Sequence, residues 1–347
     1  MNRIKNKDIA SILGISTAAV SLARNNKPGV SDETRAKVLS LINQSEDTHD
    51  TSESQENAKQ TILLIIHKRH GEIIIDKPFF SDLIESVQMT AIDNDFMLVL
   101  SHYTPALDLN TYIDSLDMEN VAGIILIATE MLSEDLQYYK MLNVPIVLLD
   151  SEFEFEQYDS VSIDNTTAIL NAFKYAYDMG HRNIGYLRSS VYINNFGQRY
   201  DGFLKALNLF SLADSVHPVF SLHSNVEMSY LQMKQILEHL PPDYKMPTCF
   251  LCDLDYMAFG AMNALKEFGY KIPEDISIIG FDNVTVCEIC TPPLTTIQVN
   301  RNDIGKIAAN TLIQRIQHPH SYHISIHVSS ELIIRKSVQD IRPPEKK

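Results

Sequence analysis

Three aspartates and one arginine are the side chains of this sequence best suited to hold a small polar molecule. Asp164 ends VSID, Asp255 follows CFLCDL, and Asp282 ends SIIGFD, so each stands where a short apolar run gives out. Arg199 lies in FGQRYDGF, which reads as helix. Carboxylates beside a guanidinium in a cleft can take paired hydrogen bonds from vicinal hydroxyls, which suits a sugar or a nucleoside-like ligand. A plainer reading stands next to this one. Asp164 and Asp255 also fit as helix N-caps, and Arg199 as a solvated helix charge.

Other chemistries find little support. MGHRNIG is not G-x-G-x-x-G, and neither G-x-x-x-x-G-K-[ST] nor G-x-S-x-G occurs. The chain is therefore read as no enzyme, with no cofactor expected. Four cysteines fall as Cys249-x-x-Cys252 and Cys287-x-x-Cys290, spacing that superficially suits zinc. The first pair lies in CFLC, an apolar run that reads as a buried strand, where residues three apart point to opposite faces. Reduced structural thiols are expected, and no metal.

The candidate grip needs a scaffold. At 347 residues and 45% apolar content, the chain can fill two or three domains with real cores. TILLIIH, FMLVLS, GIILIA and PIVLLD are short apolar runs separated by helix-length segments, and the pattern repeats as VSID, NIGYL, CFLC and SIIGF. Such continuous runs suit strands buried on both faces of a parallel sheet. Two sets of strand–helix units imply two doubly wound α/β subdomains, with ligands held at the carboxyl ends of their strands.

The amino-terminal stretch has a different texture. KDIASILGISTAAVSLARN reads as two short helices joined at Gly14, with Ser16 capping the second and Ser31 capping a third. Helix, glycine turn and small-residue second helix make the helix-turn-helix pattern, although an ordinary three-helix bundle fits the periodicity equally well. Charge separates along the same line. Residues 1–44 carry seven Lys and Arg against three acids, a net of +4, within a chain of net charge −15. A basic head on an acidic body points to one polyanion-binding end. Lys7, Asp8 and polar side chains interrupt any signal-peptide pattern, and no apolar run approaches membrane-spanning length. A soluble cytoplasmic chain without a membrane partner is expected.

The residues in detail are more specific. DIASILGISTAAVSLARNNKPGVSDETRAKVL closely resembles the head of the LacI/GalR (lactose-repressor/galactose-repressor) family of bacterial transcription regulators. The resemblance continues through YDSVSIDN, MGHRNIGYL, QRYDGFLKAL, DLDYMAFGAMNALKEFGYKIPEDISIIGFDN, TPPLTTIQVNRNDIGKIAANTLI and ELIIRKSV, almost to the carboxyl end. It implies a small all-α helix-turn-helix head over residues 1–44 and an effector-binding and dimerisation body over 61–340. That body would have two α/β lobes of periplasmic-binding-protein type, followed by a tail at 341–347. Function follows as an expectation: a repressor binding a palindromic double-stranded DNA operator as a homodimer, and sensing a small carbohydrate effector. The alternative is a cytosolic small-molecule sensor with weak or degenerate DNA binding. A transporter-feeding solute receptor leaves the head unexplained.

The same resemblance assigns roles by position. Thr17, Ala18 and Leu22 fall at base-reading positions, and Lys5, Ser16, Ser21, Asn25, Ser31 and Thr34 at or beside phosphates. Many relatives carry Arg where Leu22 stands, and leucine cannot hydrogen-bond a base edge. Asp164, Arg199 and Asp282 align with effector-holding positions, and Asp255 is read as half structural. Leu254 replaces an Asn that often contacts ligand. Phe79 and Phe80 match an aromatic loop, with one ring expected in the core and one at the cleft. His181 is read as a structural residue of its turn. KSVQDIRPPEKK has no heptads, so no coiled-coil tetramer is expected.

Between head and body, SEDTHDTSESQENAKQ (45–60) holds five acids, one lysine and a single apolar residue, Ala58. Relatives usually place there a hinge helix that wedges a leucine into the minor groove. This segment has no leucine, and its acids would be repelled by phosphates, so an acidic flexible linker is expected. The operator should then be little bent. A circular-permutation gel assay is expected to find no sharp central kink, and a pronounced one would refute the missing wedge.

Overall fold

The computed structural model describes residues 6–24, 30–31, 34–38, 59–74 and 78–343. The chain divides into two units, Met1–Lys59 and Gln60–Lys347. In the first, helix α1 (Asn6–Leu13) stops at Gly14, whose φ of +65° suits a residue without Cβ. Ser16 Oγ accepts from Ala19 N at 3.1 Å and so caps α2 (Thr17–Arg24). Ser31 Oγ accepts from Thr34 N at 3.3 Å where the helical segment α3 (34–38) begins. Ile9, Ala10, Val20, Ala23 and Val38 close a small core among these pieces.

The second unit holds two sheets. The first contains β1 (Thr61–His67), β2 (Met97–Tyr103), β3 (Val121–Ile127), β4 (Ile146–Leu149), β5 (Asp159–Ile163) and β11 (Ser325–Val328). Their order is β11-β5-β4-β3-β1-β2, with every pair parallel. The second contains β6 (Ile184–Ser189), β7 (Val219–Leu222), β8 (Cys249–Cys252), β9 (Ser277–Asp282), β10 (Thr295–Gln298) and β12 (Glu331–Ile333). Its order is β12-β10-β9-β8-β6-β7, parallel except for the β10–β12 pair. Alternate residues of β1 serve different clusters, Ile62, Leu64 and Ile66 one and Leu63 and Ile65 another, which is why the run is apolar throughout.

Helices cover the sheets: α4 (Pro78–Asp93), α5 (Leu109–Asp114), α6 (Leu136–Tyr139), α7 (Asn165–Asp178), α8 (Asn194–Leu209), α9 (Val226–His239), α10 (Asp255–Glu267), α11 (Val286–Ile289) and α12 (Arg301–Gln317). α12 packs on α4 and on the first sheet, whereas α7 packs on α8. The chain therefore passes between lobes after β5, after β10 and between β11 and β12. These passages lie side by side, since Asp164 N donates to Val328 O at 3.0 Å and Asn300 Nδ2 to Ser329 O at 3.2 Å.

Two expectations need correcting. VSID belongs to the first sheet, as β5, and not to the second set of units, because the chain changes lobes only after Ile163. The body also runs past residue 340: Ile341 N donates to Met179 O at 2.9 Å, so the proposed tail begins inside it. Residues 45–58 and 344–347 lie outside the described residues.

Helices α9 and α10 approach closely at Gly260. A Cβ there would collide with Ser229 Oγ and lie 2.5 Å from Val226 O and 2.7 Å from Tyr230 N, and backbone cannot yield as a flexible side chain can. Gly260→Ala should destabilise the body by roughly 1–3 kcal/mol, read as a lowered midpoint in thermal or urea unfolding. An unchanged midpoint would contradict this packing.

Candidate functional site

Carboxyl ends of strands from both sheets meet over one small cavity of about 30 Å³. The first lobe contributes Thr129, just after β3, Asp150, just after β4, and Ile163, together with Ile73, Phe79 and Phe80. The second contributes Ile193, Asn195, Phe196 and Arg199 around α8, Leu254 before α10, and Asp282 at the end of β9. The volume holds one or two waters, well under the several hundred Å³ of a typical ligand pocket. The lobes are drawn tightly together.

Arg199 is only 3% exposed. Its Nε donates to Asn165 Oδ1 at 2.8 Å and its Nη1 to Asp253 O at 2.5 Å, while the guanidinium lies 3.5 Å from the centroid of the Phe281 ring. Asp150 is buried beside it. Thr129 Oγ1 donates to Asp150 Oδ2 at 2.6 Å, and Asp150 Oδ1 has no hydrogen-bond partner among the described residues. Burial pushes the Asp150 carboxyl up to about 6, with Thr129 and Arg199 opposing and Asp282 adding to the rise. Asp150 and Asp282 both adopt positive φ, 65° and 108°. Such backbone costs energy in residues with a Cβ and gathers at functional sites.

Of the residues singled out by sequence, Arg199, Asp282, Phe79 and Phe80 come together here. The expected division of the two phenylalanines does not occur. Both rings are buried, meet edge to face at 5.0 Å, and line the cavity while packing in the main core. Asp164 and Asp255 are not among the lining residues. Asp164 caps α7, its Oδ1 accepting from Thr167 N at 3.0 Å. Asp255 is fully buried and is not a cap: it sits in the first turn of α10, accepting from Thr296 Oγ1 at 2.5 Å and Val284 N at 3.0 Å. It thereby braces the turn that carries Asp282, and burial first, then the Asp282 charge, lifts its carboxyl to about 7.

Thr129, Asp150, Asn195 and Phe196 were missed from sequence, although signals existed. Thr129 and Asp150 directly follow the runs GIILIA and PIVLL, and Asn195 and Phe196 share a helix face with Arg199 by spacings of four and three. His181 behaves as expected, its ring bridging Thr248 Oγ1 at 2.9 Å and Gln339 O at 3.1 Å. Cys249 and Cys252 enter different apolar clusters, which fits their opposite faces on β8.

In the head, Ser16, Thr17 and Ser31 are exposed, and Leu22 and Thr34 are half-buried. Lys5 and Asn25, and the side chains of Ala18 and Ser21, lie outside the described residues. Among the described residues no helix is long and apolar enough to cross a membrane.

Known proteins extend these observations. The family model of a periplasmic binding protein-like domain matches residues 173–338. The HTH-type transcriptional repressor CytR of Escherichia coli (strain K12) is 31% identical over 339 residues, spanning 96% of each chain. A LacI family transcriptional regulator from Enterococcus faecium, solved with bound ribose, superposes with a TM-score of 0.67 at 25% identity, over 82% of this chain and 100% of that one. The lac repressor dimer, solved on operator with the anti-inducer ONPF, gives a TM-score of 0.70 at 22% identity, over 96% of this chain and 98% of that one, a likeness of fold.

Asp150 provides a test of the cavity's electrostatics. With a native carboxyl near 6 against 3.8 ordinarily, the native state holds a proton that the unfolded chain lacks between those values. Stability from this group thus grows as pH falls through that window, and at pH 7.5 the buried charge is a liability. Asp150→Asn should be more stable than the parent by roughly 1–3 kcal/mol at pH 7.5, with the gap narrowing toward pH 5. Unfolding curves at both values read the difference.

Proposed function

The chain belongs to the LacI/GalR family of transcription regulators, and on that premise we propose that it is a cytoplasmic repressor that binds a palindromic operator as a homodimer and answers to a small hydroxyl-bearing effector in the cleft. It is a transcription regulator, not an enzyme, as its relatives are. The observation that carries the effector reading is the facing pair Asp150 and Asp282, one from each lobe, beside the buried Arg199. Hydroxyls of a sugar or nucleoside supply the donors that carboxylates need, and the rings of Phe79, Phe80 and Phe196 offer an apolar wall for a sugar face or planar group. Leu254 leaves the second lobe one polar contact poorer, which favours a ligand with an apolar portion over a free hexose. The ribose-bound Enterococcus faecium relative supports a carbohydrate-like ligand. Asp164 and Asp255 act in this reading by positioning: the first caps the helix whose Asn165 meets Arg199, and the second braces Asp282.

On the DNA side, Thr17, Ala18 and Leu22 read bases, and Lys5, Ser16, Ser21, Asn25, Ser31 and Thr34 meet the backbone. One head spans a short half-site, so two are needed on a palindrome. The acidic 45–60 segment favours a second reading, a sensor whose DNA binding is weak.

Selecting operators from random DNA with the full-length protein decides between them. Enrichment of a palindrome is expected, and its absence would favour the sensor. Asp282→Asn and Asp150→Asn should keep operator binding in gel shifts but weaken binding of ribose or a nucleoside by about 10–100-fold. Effector affinity of the parent should also fall as pH drops through about 6, where Asp150 takes its proton, and Asp150→Asn should flatten that dependence. Calorimetry at pH 7.5 and 5 measures both.

A further inference from the structure

The loop after β1 is held in an unusual way. Glu130, 1% exposed and next to the cavity-lining Thr129, spreads its carboxylate over five backbone N–H groups of that loop. Oε2 accepts from Arg69 at 3.0 Å, His70 at 3.1 Å and Gly71 at 2.8 Å, and Oε1 accepts from Ile73 and Ile74, both at 2.8 Å. Burial alone would raise the carboxyl, but these donors outweigh it and hold Glu130 below its ordinary range. The Arg69 guanidinium adds a second anchor on the first lobe, at 3.1 and 3.2 Å from the Asp135 carboxylate oxygens.

The same loop reaches across the cleft. Ile73 lines the cavity and packs into the apolar cluster of the second lobe, with Leu187, Ile193, Phe196 and Leu254. Next to it, Glu72 Oε2 lies 2.9 Å from His223 Nε2, just beyond β7 of the second lobe, at ion-pair distance without the alignment of a full hydrogen bond. His223 is set from its own side, its N donating to Gln232 Oε1 at 2.6 Å and its Nδ1 accepting from Asn225 N at 3.3 Å. The accepting Nδ1 leaves the ring proton on Nε2, the nitrogen at ion-pair distance from Glu72.

We propose that Glu130 is a positioning residue of the cleft, which shapes residues 69–74 into a clasp that closes the lobes through Ile73 and through Glu72 on His223. The clasp sets how wide the cleft rests, and hence how far the lobes must move when the effector enters. Its bearing on effector binding rests on the function proposed above, but the clasp itself does not.

Hydrogen–deuterium exchange on the full-length protein, with no ligand added, separates the two. Glu130→Gln keeps the size of the side chain but leaves buried N–H donors unmatched. It should speed exchange of residues 69–74 by roughly tenfold or more, speed the 219–226 segment of the opposite lobe, and leave β3 and β4 near the parent's rate. Glu72→Gln and Ile73→Ala leave Glu130 in place, and test the crossing if Glu130→Gln fails to fold. Each should loosen 219–226 while 69–74 stays protected. Unchanged exchange at 69–74 in Glu130→Gln, or a rise spread evenly over the first lobe, would overturn the positioning role. Unchanged exchange at 219–226 in all three variants would overturn the clasp.

Discussion

A buried guanidinium must have acceptors, and the body of this protein is arranged around providing them for Arg199. Its Nε engages Asn165, the first residue of α7 after the chain leaves the first lobe, and its Nη1 engages the carbonyl of Asp253 at the end of β8. Asn165 in turn donates to Asn195 Oδ1 at 3.2 Å and Gln198 Oε1 at 2.8 Å, and Asn195 donates across the cleft to Asp150 O at 3.1 Å. Asp253 is fixed by Tyr186 Oη at 2.6 Å and Ser189 N at 2.7 Å. One side chain thus ties a helix, a passage between lobes and the ends of two strands into a single polar network. Each member is hydrogen-bonded to the next, so a shift of one lobe is felt at the guanidinium. Such networks have few tolerated arrangements.

Charge is less evenly matched. Asp150, Asp253 and Asp255 are all buried, and burial lifts their carboxyls to about 6, 6 and 7. Arg199 lowers the first two but does not cancel the cost of taking them out of water. A fold selected only for stability would not gather acids this way. Their placement at strand ends, with positive φ at Asp150 and Asp282, reads as stability given up for binding.

Much of this was legible in the sequence, for identifiable reasons. Strands buried on both faces leave continuous apolar runs, so β1, β3 to β6, β8 and β9 could be seen, whereas the apolar run of β2, expected to be buried on both faces, lies largely exposed at the edge of its sheet. β7 is an exposed edge strand, β10 is built from TTIQ, and β11 and β12 are short and half-exposed. Their places depend on partners remote in sequence, and so did the true lobe of β5. The head could be read because Gly14, Ser16 and Ser31 each do a local job that needs only near neighbours. At the cleft, strand ends were visible but not which carboxylate turns inward. Asp164 and Asp255 look the same as Asp150 in sequence; only backbone direction separates a cap and a brace from a carboxylate that lines the cavity.

On the function proposed above, the inward pair would let a small molecule govern two large lobes. Asp150 belongs to the first sheet and Asp282 to the second, and each charge disfavours the other. Closing the cleft brings like charges together in a medium where they are poorly screened, so closure alone is opposed. The proposed hydroxyl-bearing ligand between them would donate to both, turning the repulsion into two attractions that exist only when the lobes are near. Ile73 and the Glu72–His223 contact pull the same way without ligand, at the rim. The resting width of the cleft is then a balance between apolar contact at the rim and charge at the centre. Ligand acts on the central term alone. In a repressor of the kind proposed above, operator and effector affinities would change by the same factor, so whatever that term contributed at the cleft would be the most that could reach the DNA.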